Sequence, residues 1–182
     1  MNWWGGRILW YVPSESVRMA QSAAENYRLP KMNFMQKFKY WIPVIMTMIC
    51  IYWMSTDTLS SRSTMHIIEP ILRFFAPSLS RKEILMIHGM IRKAAHVIVY
   101  LILGILLFRA FRAGSHEQRL WRWALSSLAV VALYAITDEF HQSFVPTRTA
   151  ALADVGTNVL GGILAQFVSI VWYRRHQEEG EA

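Results

Sequence analysis

Titratable and amide side chains gather in three short clusters, each next to a long apolar stretch of the sequence. The first cluster pairs two cations with a histidine and a tyrosine, the second pairs two carboxylates with a histidine and a glutamine, and the third pairs a carboxylate with an amide. Such sets can hold an anionic head group or can move a proton between a carboxylate and a histidine. The candidate ligand-binding residues are Arg92, Lys93, His96, Tyr100, Asp138, Glu139, Gln142, Arg148, Asp154 and Asn158.

Helical spacing predicts that the side chains of each cluster share one helix face. Lys93, His96 and Tyr100 stand at positions i, i+3 and i+7, and residues at this spacing lie on the same side of a helix. Gly104 continues the stripe and would allow a second helix to approach closely. The same pattern relates Tyr134, Asp138 and His141 or Gln142, and then Asp154, Asn158, Gly161 and Ala165.

Two further chemistries fit part of this set. His96 and His141 could act as acid and base, with Asp138 or Glu139 as the partner, in a membrane enzyme that acts on an envelope lipid or phosphate. The sequence has no Gly-x-Ser-x-Gly or Cys–His nucleophile signature to support this alternative. A metal site is disfavoured because Glu139 and His141 would point apart on a helix and no His-Glu-x-x-His spacing occurs. We therefore expect neither a metal nor a cofactor.

Four uncharged stretches must position these clusters, over residues 40–56, 94–108, 123–137 and 155–173. A bilayer core of about 30 Å needs roughly 20 helical residues, so the two middle stretches reach across only with flanking charged residues that snorkel. The chain is 54% hydrophobic and 17% charged, whereas about a quarter of a soluble domain is charged. A soluble bundle would need polar helix faces that these stretches lack. We predict an all-α integral membrane protein with a bundle of about four transmembrane helices. The single cysteine, Cys50, is expected to be buried in that bundle.

The distribution of Lys and Arg predicts a multi-pass cell-membrane protein with both termini in the cytoplasm. In that orientation twelve of the 19 Lys and Arg residues lie on inner segments and seven on outer ones, in accord with the positive-inside rule. The three polar clusters would then face the outer leaflet together. The net charge is +7, but the basic residues flank apolar runs, so we expect no nucleic-acid partner.

The segments outside the spans suggest three regions. Residues 1–37 form an N-terminal cytoplasmic extension, 38–173 the transmembrane domain and 174–182 a cytoplasmic tail. Residues 32–39 form a short basic segment that leads into an apolar run. We therefore hypothesise that translation begins at Met32 or Met35. Between the first two spans, two amphipathic stripes could lie on the outer leaflet or pack over the bundle. These stripes are Ile67, Ile68, Ile71, Leu72 and Phe75, and then Ile84, Ile87 and Ile91.

The clusters together resemble the VanZ family, small membrane proteins associated with low-level resistance to the glycopeptide teicoplanin. The matching pieces are Arg92-Lys93-Ala94-Ala95-His96 with Tyr100 to Gly104, then Thr137-Asp138-Glu139-Phe140-His141-Gln142 with Pro146 and Arg148, and Asp154 to Gly161; Ser55 and Asp57 fit more weakly. The likeness covers about residues 38–172 and leaves residues 1–31 outside. It implies four membrane spans and a role in teicoplanin tolerance, but it supplies no reaction.

We expect a non-enzymatic protein of the bacterial cell envelope that binds an amphiphile with an anionic head and a lipid tail. Its partner would be a membrane lipid, a lipid-linked envelope precursor or a lipoglycopeptide. Arg92, Lys93 and Arg148 would contact the head, and we expect Lys93 or Arg148 to pair with Asp138, Glu139 or Asp154. Two alternatives stay open: the membrane enzyme, and a structural or partner-binding protein whose polar cluster serves only helix assembly.

Overall fold

The computed structural model of the chain describes residues 14–16, 19, 32–56, 61–113, 119–145 and 152–181, with the side chains of 61–63 and 177–181 left aside. Two compact units divide the chain, Met1–Met32 and Asn33–Ala182, and all the helices named below belong to the second unit. Most of the predicted N-terminal extension lies outside the described residues. Asp57, Pro146 and Arg148 lie outside them as well.

Five helices account for the described part of the second unit, which contains no β-strand: α1 is Phe34–Ser55, α2 is Ser61–Phe75, α3 is Arg81–Arg112, α4 is Leu120–Gln142 and α5 is Leu152–Glu181. Four of them, α1, α3, α4 and the Leu152–His176 part of α5, are long and apolar enough to cross a membrane. The predicted all-α class and its four spans are confirmed, and the chain is a multi-pass membrane protein.

Large apolar side chains cover the outside of the bundle. Met46 on α1, Leu133 on α4 and Phe167 on α5 are each more than 60% exposed. A soluble monomer rarely tolerates such a continuous apolar surface, but a lipid bilayer solvates it without cost. Cys50 lies on this outer surface. The prediction that it is buried was wrong, because apolar character in a membrane span does not distinguish the lipid side from the core.

Helix α3 begins at Arg81, about three and a half turns before the apolar stretch that starts at residue 94. The Ser80 side chain accepts a hydrogen bond from the Glu83 amide at 3.3 Å, and the Ser80 amide donates to the Glu83 carboxylate at 2.8 Å. This reciprocal capping box satisfies two amides that the start of a helix would otherwise leave unpaired. The second amphipathic stripe is therefore the first part of α3 rather than a separate segment. At 1.5 Å per residue α3 is about 48 Å long, more than a bilayer core needs.

Helix α2 contacts the projecting part of α3 through polar atoms. The Thr64 hydroxyl and His88 Nε2 lie 2.8 Å apart. The apolar residues Ile67, Ile71 and Phe75 of α2 remain exposed. Most of its apolar stripe is therefore left uncovered by the bundle, and the predicted interfacial position of α2 stays a prediction.

Small residues bring α3, α4 and α5 into close contact. A Cβ atom at Gly161 would lie 2.5 Å from the Val97 carbonyl oxygen, and one at Gly104 would lie 2.6 Å from Ala165 Cβ. Both distances are shorter than real Cβ contacts, so the backbones of α3 and α5 approach closely only because these positions lack a side chain. The two predicted stripes therefore meet in one close contact between α3 and α5. We call this contact the seam; it contains Gly104 of α3 and Gly161 and Ala165 of α5.

A polar layer crosses the middle of the bundle beside this seam. The Ser127 hydroxyl of α4 donates to the Gly104 carbonyl of α3 at 2.9 Å, and Gln166 Nε2 of α5 donates to the Ser127 hydroxyl at 3.1 Å. These hydrogen bonds join three helices. Because the bilayer core contains no water, no water molecule competes for them. The apolar core surrounds this layer: Val44 and Ile51 of α1, Leu103 and Leu107 of α3, Val131 and Ala135 of α4.

Gly161→Ala is expected to lower the free energy of unfolding by about 1–3 kcal/mol, because the new methyl group meets a backbone oxygen that cannot move aside. The matched control is Gly156→Ala on the same helix, where no atom lies within 4 Å of the new methyl group. That change should be neutral, or stabilising by up to about 1 kcal/mol, since alanine favours helix. Reversible unfolding of both purified variants in mixed detergent micelles measures the difference, and equal effects would contradict the packing of the seam.

Candidate functional site

Four chain segments bring polar side chains together at one end of the bundle. They are the last turn of α1, the middle of α3, the last turns of α4 and the first turns of α5. We call the following residues the polar site: Ser55, Lys93, Tyr100, Asp138, Gln142, Asp154 and Asn158. All but Ser55 belong to the predicted set, and alternating directions of the spans explain why their ends meet.

Asp138 is the centre of a buried hydrogen-bond chain. The Tyr100 hydroxyl donates to Asp138 Oδ2 at 3.1 Å, and Gln142 Nε2 donates to the same oxygen at 3.1 Å. The second hydrogen of that amide nitrogen serves Ser55 Oγ, also at 3.1 Å. All four side chains are buried. The chain therefore connects α3, α4 and α1, and it holds a carboxylate out of water by means of neutral donors.

Helical spacing and side-chain length produce this arrangement. Asp138 and Gln142 are one turn apart on α4, so their side chains lie one above the other on the same face. Tyr100, which packs beside Gly161 of α5, is long enough to reach that face of α4 from α3. Tyr134 lies one turn before Asp138 but donates instead to the Met48 carbonyl of α1 at 2.6 Å, which fixes α4 against α1.

Lys93 and Asp154 form the exposed edge of the polar site. Their Nζ and Oδ1 atoms are 3.8 Å apart, with side chains 63% and 40% exposed. An exposed ion pair contributes at most about 1 kcal/mol to stability, so the pair does little to hold α3 against α5. The pair keeps the Lys93 ammonium group at the exposed edge of the polar site, which we call its opening.

Asn158 is buried without hydrogen bonds. The residue is 1% exposed, and neither Nδ2 nor Oδ1 has a partner among the described residues. It lies one turn after Asp154 and just before Gly161, whose missing side chain makes room for Tyr100. Asn158 therefore occupies a level between the Lys93–Asp154 pair and the Asp138 chain. An amide in such a position costs about 1–3 kcal/mol for each group left unsatisfied.

The remaining candidates of the second cluster, Glu139 and His141, lie in the last turns of α4. Glu139 is buried. The His141 ring packs against the Tyr52 ring of α1, with centroids 4.7 Å apart, and its Nε2 atom is buried without a partner in the described part of the chain. Over the same residues, no hydrogen bond or ion pair joins His141 to a carboxylate, and no three His, Cys, Asp or Glu side chains converge as a metal site would require.

The predicted pairings are resolved in part. Of the ion pairs that the sequence allowed, Lys93 with Asp154 is formed, whereas Asp138 accepts from Tyr100 and Gln142. Arg92 and His96 are half-buried on α3 next to Lys93. Arg148 lies outside the described residues, so its predicted contact with the site stays a prediction.

Two features of this end were not predicted from the residues. Ser55 is fully buried and takes part in the Asp138 chain, although the sequence marked it only as a weak part of the family likeness. The signal was a small polar residue in the last turn of a helix that is largely apolar after Lys39. The contact of Tyr134 with the Met48 carbonyl had no signal, because backbone acceptors cannot be read from residue types.

The fold and the site together define a class: multi-pass α-helical membrane proteins with titratable side chains buried at one end of the bundle. Within this class the chain belongs to the VanZ/LLP1 family, whose model matches residues 20–173. The expected resemblance is thereby confirmed, and it begins nearer the N-terminus than residue 38. No curated protein and no solved structure matches the chain.

Tyr100→Phe is expected to lower the free energy of unfolding by about 1 kcal/mol, because buried Asp138 loses one of its two donors. Tyr52→Phe serves as the control, since it removes a hydroxyl from a half-exposed ring and keeps the stack with His141. Unfolding of both variants in the same detergent mixture gives the comparison. A Tyr100→Phe protein as stable as the control would mean that the hydroxyl does not support the Asp138 chain.

Proposed function

We propose that this VanZ-like protein binds an amphiphile with an anionic head and a lipid tail at the polar site. In the bacterial envelope, the ligand would be a membrane lipid, a lipid-linked precursor or a lipoglycopeptide. Lys93 contacts the head at the opening, and the buried side chains below it supply further hydrogen bonds. Arg92 and Arg148 are the additional cations that the proposal assigns to the head.

The unsatisfied amide of Asn158 is the observation that carries this proposal. Membrane proteins satisfy buried polar groups internally because lipid offers no hydrogen bonds. Other polar side chains at this end, such as Gln142, have partners. A ligand head that enters past Lys93 would offer an acceptor to Nδ2 and a donor or water to Oδ1, and would remove the cost of burying that amide.

The charges of the site favour an anion at its opening rather than deep inside it. Lys93 is largely exposed, whereas Asp138 and Glu139 are buried beneath it. A phosphate at the level of Lys93 would gain a charge-assisted hydrogen bond. A phosphate that moved further in would meet two carboxylates, so the head is expected to stop at Asn158.

The surface of α4 beside the site supports a lipid tail. Phe140 and Phe144 are both exposed, and their rings meet edge to face with centroids 5.0 Å apart. Each ring is two residues from Gln142, about half a helical turn, so this apolar ridge lies on the outer side of α4 and faces away from the bundle. A ligand whose head is held at Lys93 could lay its chain along α4 without leaving the bilayer.

Two substitutions in the polar site are expected to weaken ligand binding for different reasons. Lys93→Ala is expected to reduce affinity about tenfold, the value of a charge-assisted hydrogen bond. Asn158→Leu should also reduce affinity, yet raise the free energy of unfolding by about 1 kcal/mol, because it removes an unsatisfied buried amide. Titration of the purified protein with a polyprenyl phosphate, and separately with teicoplanin, measures both effects.

Lys82→Ala is the matched control, since Lys82 is an exposed cation on the same helix away from the polar site. Equal binding by the Lys93→Ala, Asn158→Leu and Lys82→Ala proteins would refute the site. Release of inorganic phosphate or another product during the titration would support the membrane enzyme instead. In cells with equal protein levels, teicoplanin tolerance should fall for Lys93→Ala and not for Lys82→Ala.

The proposal also requires that the polar site faces the outside of the cell, with both termini in the cytoplasm. In a Cys50→Ser background, Ser143→Cys at the site end should react with a membrane-impermeant maleimide in intact cells. His176→Cys at the far end of α5 should react only after the membrane is permeabilised. The reverse pattern would place the site in the cytoplasm and rule out direct contact with an external glycopeptide.

A further inference from the structure

A groove lies between α3 and α5 at the end of the bundle opposite the polar site. Its volume is about 470 Å³, and its lining includes Ile105, Arg109, Arg112, Val168, Ser169 and Trp172. The lining combines apolar side chains with two guanidinium groups. The groove is thus amphipathic along its length, as the surface of a phospholipid is.

Arg112 is held in place but is not fully satisfied. Its guanidinium lies 3.6 Å from the centroid of the Tyr173 ring, and it donates to the Tyr173 hydroxyl. A cation–π contact of this kind orients the planar group without neutralising its charge. Its Nε atom is buried and has no partner in the described part of the chain. Among the described lining residues there is no carboxylate to compensate it.

Ser169 gives a second, independent indication of a missing ligand. The residue is 7% exposed, and its hydroxyl has no hydrogen-bond partner within the described residues. It lines the same groove, one turn before Tyr173. A hydroxyl and an Nε–H group that both lack partners call for a ligand rich in acceptor oxygens.

We infer that this groove binds one anionic phospholipid. The phosphate and glycerol oxygens accept from Arg112, Arg109 and Ser169, and an acyl chain lies along Ile105 and Val168. Trp172 is exposed at the mouth of the groove, where an indole ring suits the level of the head groups. A free phosphate would leave the apolar half of the groove empty, and so the lipid is the better fit. Basic pockets between transmembrane helices are established binding places for anionic head groups.

Native mass spectrometry of the full-length protein in neutral detergent tests this assignment. With phosphatidylglycerol one lipid should stay bound, and with phosphatidylcholine none should. Arg112→Gln should weaken retention of phosphatidylglycerol about tenfold, as expected for the loss of a charge-assisted hydrogen bond. Arg109→Gln, at an exposed position that does not support the fold, should weaken it in the same direction. Arg175→Gln is the matched control at the same end of α5 and should retain the lipid.

Three results of these experiments would overturn the inference, and the Lys93→Ala comparison below provides a fourth. They are equal retention of the two lipids, displacement of phosphatidylglycerol by inorganic phosphate alone, and a dimer that Arg112→Gln dissociates, which would show a second copy in the groove. Lys93→Ala separates this site from the polar site. Lipid loss in Arg112→Gln but not in Lys93→Ala supports the groove, and loss in Lys93→Ala alone assigns the lipid to the polar site and refutes the groove.

Discussion

Close approach of α3 and α5 at their glycines is the constraint on which the rest of this structure depends. In lipid there is no hydrophobic force to bring helices together, so packing of small surfaces must do it. Gly161 lets the Val97 backbone come near, and Gly104 accommodates Ala165. Tyr100 is buried at this seam and is thereby aimed at α4. Without the seam neither the Asp138 chain nor the enclosure of Asn158 would exist.

Satisfied and unsatisfied polar groups divide the bundle into regions with different roles. In the middle, Ser127 and Gln166 Nε2 find protein partners and tie three helices together. Towards the two ends, Asn158 and Ser169 are equally buried but have no partners among the described residues. The central layer is held by hydrogen bonds between protein groups, although Gln166 Oε1 lacks a partner there. Asn158 and Ser169 lie on either side of this layer along α5, and a ligand with a polar head and an apolar tail could supply the hydrogen bonds that they lack. This contrast is the common basis of the two binding sites proposed above.

Much of the fold was predictable because membrane spans have simple rules. Apolar stretches gave four helices, and alternation of their directions placed three polar clusters at one end. Periodicity also identified the face of α5 that carries Asp154, Asn158 and Gly161. The start of α3 was missed although Ser80 and Glu83 have the spacing of a capping box. The partner of Asp138 was not predictable, because spacing fixes a face but not which opposing side chain is long enough to reach it. The burial of Cys50 was predicted wrongly, since lipid and core are equally apolar.

An uninterrupted α3 has a mechanical consequence for the protein. This helix contains no proline. It contacts α2 near His88, contributes Tyr100 to the polar site and contributes Arg112 to the groove between α3 and α5. A single continuous helix therefore connects three regions at different depths of the membrane. Any tilt that fits it to a thicker or thinner bilayer would move the polar site and the groove together. A change in bilayer thickness would therefore displace residues near both membrane surfaces at once.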